Sequence, residues 1–173
     1  MSRQFRSGIA GVAACFLAML PMAAWADDAA TEPIAVAVAE FDYSDTSGEP
    51  EDQRAKHAAQ LQSFAESIRG GLESSGKYRV VPLACEPMPC RVGDLDAEEL
   101  IAAARKAGAQ QLVFGGIHKM STLVQFAKVQ VLDLKLDKLV FERLLTFRGD
   151  NDEAWDHAQR FVVRDIVEEE LAY

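Results

Sequence analysis

Cysteine, histidine and positive charge are scarce in this chain, and each scarcity closes off a class of function. Its 173 residues include 3 cysteines, 3 histidines and 18 Lys+Arg against 27 Asp+Glu, a formal net charge of −9. Nucleic acids and anionic membrane surfaces reward clustered Lys and Arg, so an acidic chain suits neither as a partner. His57, His118 and His157 stand far apart in sequence and away from the cysteines, which leaves no zinc-ligand spacing. No Gly-x-Ser-x-Gly elbow, phosphate-binding glycine loop or His-Glu-x-x-His pair occurs. What is present, 49% hydrophobic and 26% charged residues, is the balance of one ordinary globular domain.

The N-terminus has the make-up of a secretory signal peptide over residues 1–26. Arg3 and Arg6 supply a positive start, Ile9 to Ala23 an apolar run, and Ala24-Trp25-Ala26 a small-x-small cleavage site before Asp27. This leader takes two of the 18 basic residues and none of the 27 acidic ones, so the exported chain would carry 16 against 27, a net charge of −11. Beyond it no apolar run approaches the ~20 residues that span a bilayer. A competing reading takes Val12-Ala13-Ala14-Cys15 as a lipoprotein box with a lipid anchor on Cys15. Cleavage there would leave an apolar core of only about seven residues and a greasy stub, Phe16 to Leu20, which makes the soluble periplasmic product the main expectation.

After removal of the leader two cysteines remain, in Cys85-Glu86-Pro87-Met88-Pro89-Cys90. In an oxidising compartment the simplest reading is a local disulfide, with the prolines limiting the freedom of the loop between the thiols. A redox-active pair, which usually has two intervening residues and sits at a helix start, is the alternative.

Residues 27–33 form a polar lead, and 34–171 read as a single α/β domain with the order β-α-β-α-β-β-β-α. Ile34 to Tyr43 is small and apolar up to Ala39, as in a central, doubly covered strand. Leu61, Phe64, Ala65, Ile68 and Leu72 form one face of a helix from about Asp52 to Ser75, with Gly70-Gly71 inside it marking a bend or a close approach. Tyr78 to Leu83 is a short strand. Asp96 and Glu99 approximate a capping box for a second helix, which Gly108 ends. Gln111 to Lys119 is a buried strand, and Leu123 to Leu134 with Leu139 to Arg148 form a hairpin turning near Lys135-Leu136-Asp137. A third helix runs from Asp150 to near Leu171, carrying Trp155, Ala158, Phe161, Val162 and Ile166 at helical spacing. Two βαβ passages make the first three strands parallel and the terminal meander makes the five-stranded sheet mixed, with three helices.

Candidate chemistry is thin. Asp150, Asp152, Glu153 and Asp156 do not have calcium-loop spacing, since Trp155 stands where such a loop needs glycine; helix capping and the helix dipole account for them. Asp94, Asp96, Glu98 and Glu99 have the same explanation. Ser44 and Ser47 are nucleophile candidates only if a histidine sits beside them. Asp42 and Asp45 are a nominal acid–base pair of a kind that arises by chance in an acidic chain. Gly115-Gly116 is too short for a dinucleotide signal and suits a close packing contact or a bulge.

The passages Lys119-Met120-Ser121-Thr122-Leu123 and Arg148-Gly149-Asp150-Asn151-Asp152-Glu153-Ala154-Trp155, together with Cys85, Gly108-Ala109 and Asp133, resemble a family of small secreted proteobacterial proteins of unknown function. The likeness runs from Ile34 to about Ile166. It departs at the cysteines, four residues apart where a closer pair is usual, and at the hairpin turn, which lacks glycine. More distantly, Phe41-Asp42-Tyr43 and Ser75 to Val81 are similar to passages of TolB N-terminal and CsgG-type envelope domains. The resemblance implies a non-enzymatic periplasmic interaction or accessory module of the cell envelope, assisting a periplasmic oxidation system. It implies no cofactor and no catalytic residues, and leaves partner identity and oligomeric state open. The alternatives are a thiol–disulfide redox protein using Cys85 and Cys90, or a small-ligand or metal carrier. Arg148, Asp150, Asp152 and Trp155 are the candidate partner-binding residues, with Arg148 expected to orient the turn through Asp150 and Asp152.

Overall fold

The computed structural model describes residues 32–86 and 89–169. The leader, its cleavage site, Cys15 and the expected helix end at Leu171 lie outside the described residues.

Nine elements follow in order: β1 Ile34–Val38, β2 Asp42–Asp45, α1 Arg54–Ser74, β3 Tyr78–Val80, α2 Ala97–Lys106, β4 Gln111–Lys119, β5 Val124–Asp133, β6 Lys138–Arg148 and α3 Asp152–Glu169. They form one mixed sheet of order β3-β1-β4-β5-β6, with β2 beside β4. β1 is parallel to both β3 and β4, while β4-β5-β6 is an antiparallel meander. The α/β class, the three helices and the parallel-then-meander topology are those read from the sequence.

The sheet has six strands rather than five because the first one breaks. Val38 faces Val113 and Asp42 faces Gly116, so the first strand carries one residue more than β4 over that interval. The surplus sits at Ala39–Phe41, where Glu40 N–H turns away from β4 and donates to Cys90 O at 2.8 Å. The chain then rejoins β4 as β2, paired from Gly116 to Lys119. Such a bulge re-aims the side chains that follow it.

Side-chain alternation divides the core between two faces. Val36, Val38, Val113, Ile117, Ala127, Val129, Phe141 and Phe147 meet α1 and α3 on one face. Ala35, Ala37, Ala39 and Leu112 meet Leu100 and Ala104 of α2 on the other. β1 is therefore covered on both sides, as its unbroken small and apolar run requires. With 10 residues α2 is short; beyond its cover, Leu144 on β6 remains 65% exposed.

The two glycines within α1 behave differently. Gly70 has open space around it, whereas a Cβ on Gly71 would lie 2.7 Å from Val163 Cγ1, so α3 packs here against bare helix backbone. Asp96 stands at the N-cap of α2 but makes no side-chain capping hydrogen bond; the capping box read from the sequence does not form. The glycine-free hairpin is stabilised by polar contacts. Asp133 Oδ1 accepts from Lys135 N and Leu136 N, both at 2.8 Å, Asp137 takes a left-handed φ of 50°, and Arg105 donates to Leu134 O at 2.9 Å and to Asp137.

Candidate functional site

Lys119 ends β4 on the inner face, in line with Val113 and Ile117, and its side chain is 0% exposed. A charge so placed is tolerable only if it is paired and hydrogen-bonded. Lys119 Nζ lies 2.6 Å from Glu49 Oε2, 2.8 Å from Asp150 Oδ2 and 3.3 Å from Gln53 Oε1. Asp150 is the hub. Its Oδ2 also accepts from His57 Nε2 at 2.9 Å and pairs with Lys56 Nζ at 3.3 Å, while its Oδ1 lies 3.4 Å from both Gln125 Nε2 and Trp155 Nε1. His57 is 3% exposed and stacked on Tyr43 at 4.6 Å between ring centroids.

Local chain chemistry delivers these groups. Gly149 adopts φ +99°, which a side chain would strain, and so turns the chain sharply from β6 toward α3. Asn151 Oδ1 then caps the helix by accepting Ala154 N–H at 2.9 Å, leaving Asp150 outside the helix and aimed inward. Asp152 and Glu153 occupy the first turn, where the helix dipole favours them. Trp155, 3% exposed, packs edge-to-face on Phe64 and Phe147 at 6.1 and 5.8 Å.

The electrostatics follow from this packing. Burial alone would push the Asp150 carboxyl up, but hydrogen bonds from Lys119 and His57 reverse the sign and hold it well below the usual range. Burial likewise works against the Lys119 ammonium, and Asp150 and Glu49 more than compensate, so its pKa is raised. Burial first, and then the negative charges of Asp45, Asp150 and Glu49, push the Tyr43 phenol up.

The structure thus brings Asp150 and Trp155 together, with Asp152 at the rim accepting from Gln60 at 3.2 Å. It does not assign Arg148 the orienting role expected of it. The Arg148 side chain is exposed and makes no hydrogen bond or ion pair among the described residues; Lys119, His57 and Lys56 meet Asp150 instead. The reason is strand alternation: Phe147 points into the core, so Arg148 points to the opposite face. Sequence reasoning missed Lys119, His57 and Glu49. One signal was available, since alternation from Val113 through Ile117 places Lys119 on the buried face and demands acidic partners. The Lys119–Leu123 and Arg148–Trp155 passages, remote in sequence, meet at this ion cluster.

Other candidates find ordinary partners. His118 does sit beside Ser44, with Nδ1 2.7 Å from Oγ, but its Nε2 faces the Thr46 hydroxyl at 3.1 Å. A neutral hydroxyl does not stabilise an imidazolium as a buried carboxylate does, so the pair lacks the third member that activates a serine. Asp45 accepts Ser47 N–H at 2.8 Å, a turn-forming contact, and Asp42 accepts Gly93 N–H at 3.0 Å, which ties β2 to the chain ahead of α2. Gly115 suits a close packing contact, because a Cβ there would lie 2.0 Å from Lys128 O of β5. Cys85 and Cys90 form a disulfide, with Cα atoms 5.2 Å apart, and Cys90 packs with the α2 core. No group of three or more His, Cys, Asp or Glu able to hold a metal ion occurs among the described residues. No helix among them is long and apolar enough to cross a membrane. A hollow of about 550 Å³ at the opposite end of the sheet is lined by Ile34, Val131, Leu139, Phe141 and Ile166.

Fold and site together define a small mixed α/β domain locked at one end by a buried ion cluster. The chain belongs to the family DUF3280, described as "Protein of unknown function (DUF2380)", whose model matches residues 34–167. No curated protein matches the sequence. Among solved structures, the hypothetical protein CT253 from Chlamydia trachomatis has the same fold, at 18% identity over 81% of this chain and 99% of that one, with a TM-score of 0.54. More distant likenesses include the LpoB C-terminal domain from Salmonella enterica, at 14% identity over 69% and 85% of the two chains (TM-score 0.48). Another is TolB from Acinetobacter baumannii, at 14% identity over 80% of this chain but only 28% of that one (TM-score 0.48).

Proposed function

We propose that this protein is a non-enzymatic interaction module of the cell envelope, exported to the periplasm by residues 1–26, that meets a protein partner at the turn from β6 to α3. One observation carries the reading. Asp150 and Trp155 are fixed by the ion cluster and the aromatic core, while Arg148 and Asp152 of the same turn stand exposed. A turn held rigid from beneath loses little freedom on binding, and loops on a rigid scaffold commonly carry recognition. Capture of a partner by the tagged, exported protein from periplasm tests this. Arg148→Ala will weaken capture and leave the melting temperature within a few degrees, and added salt will have the same effect by screening. Undiminished capture by the variant removes Arg148 from the site. The mass of the exported protein will place its N-terminus at Asp27.

The disulfide supports a second reading, thiol–disulfide exchange through Cys85 and Cys90. Its reduction potential separates the two: a value below about −300 mV marks a structural link, and one in the range of thioredoxin or disulfide isomerase marks redox work.

A further inference from the structure

Among the described strands β6, Lys138–Arg148, is the longest, and it ends the sheet. Among the described residues no strand pairs with its outer edge. Proteins blunt such edges with proline, bulges, brevity or charged side chains, and β6 relies on the last, so a strand that pairs with it must match Glu142, Arg143 and Arg148. β6 contains no proline, and the only irregularity in its pairing lies near its start, between Val131 and Leu132 of β5. Phe141, Leu145 and Phe147 face α3 and the core, so Glu142, Leu144, Thr146 and Arg148 alternate along the opposite face, where Leu144 is 65% exposed.

We infer that the outer edge of β6 pairs antiparallel with β6 of a second copy of this chain, joining two sheets into one. The inference rests on the interaction-module reading and names a partner for Arg148. Charge selects both occupant and register. A two-fold pairing centred on Glu142 or on Arg143 sets like charges opposite each other, which opposes association. Centred on Leu144, it leaves Glu142 opposite the partner's Thr146 and Arg148 opposite the partner's Val140. Centred on Leu145, it sets Glu142 opposite the partner's Arg148 twice over, with Leu144 beside the partner's Thr146 and diagonal to the partner's Leu144. On the helix side the same register sets Arg143, which Asp165 and Glu169 of its own α3 hold and neutralise, opposite the partner's Phe147. The arrangement closes on itself, because β3 at the other edge of the sheet has 3 residues and is too short to continue the array.

Sedimentation velocity on the purified exported protein, from micromolar to submillimolar concentration, tests the inference. The wild type will dimerise, and Glu142→Arg or Arg148→Glu alone will weaken the dimer by roughly ten-fold or more through like-charge opposition. The double variant Glu142→Arg/Arg148→Glu will restore it, which a merely structural role for either residue would not do. Circular dichroism establishes that each variant is folded, and slower amide exchange along β6 on dimerisation locates the contact. A monomer at every concentration, or a dimer that ignores the swaps or is not rescued by the double variant, overturns the inference. Arg148-dependent capture of a different protein by a chain that stays monomeric overturns it too, yet leaves the interaction-module reading standing.

Discussion

Replacing Lys119 with methionine keeps length and volume but deletes the cation at the centre of the ion cluster. The Lys119 side chain is wholly buried, and the Asp150 side chain is 11% exposed. Removing one partner of such a pair leaves the other desolvated and uncompensated, a loss of about 3–5 kcal/mol. Asp150 would retain Lys56 and His57, and Glu49 would retain some solvent, so the lower end of that range, about 3 kcal/mol, is expected. For a domain of this size that lowers the melting temperature by about 10 °C. The acid limb gives a sharper test. The folded-state pKa of Asp150 is depressed below its usual 3.8, so its stabilisation is complete above that value and is lost as pH falls. Without Lys119 much of the depression disappears. The stability gap between wild type and Lys119→Met should therefore be widest at neutral pH and narrow below about pH 4. Urea denaturation of both proteins at several pH values measures it. A gap under about 1 kcal/mol at pH 7, or one that does not change with acid, would refute the claim that Lys119 holds the cluster together.

The adjacent glycines of α1 should respond in opposite directions to alanine. Gly70→Ala, into open space, should stabilise by about 1 kcal/mol through helix propensity. Gly71→Ala forces a methyl against Val163 and should give a net loss that thermal melts detect, the overpacking cost of about 1–3 kcal/mol exceeding the propensity gain; an equal gain at both positions would discount the close approach of α1 and α3. Replacing Cys85 and Cys90 together by serine and alanine opens a short loop and should lower stability by about 2 kcal/mol. Calorimetry under oxidising conditions would show this, and an unchanged melting point would mean the bond contributes nothing to the fold.

The order of elements, the hairpin and the doubly covered first strand were legible because each is written in local periodicity. Alternation in β5 and β6, the helical spacing of Trp155, Ala158, Val162 and Ile166, and the even pair of cysteines need no knowledge of distant neighbours. The break of the first strand was not legible. It depends on Glu40 N–H finding Cys90 O, a partner far away in sequence that local periodicity cannot reveal.

The site divides in the same way. The sequence by itself determined that the turn from Arg148 to Trp155 would be acidic, capped and chemically unusual, because composition and capping signals act within one turn of helix. Only the tertiary structure decided which of its residues turn inward. Lys119 reaches Asp150 across 31 positions and His57 reaches it across 93, distances at which strand order and register choose the neighbours. Strand alternation then turns Arg148 to the face opposite Phe147, while the left-handed Gly149 and the Asn151 cap aim Asp150 inward, and the charges are sorted by backbone geometry rather than by their place in the motif.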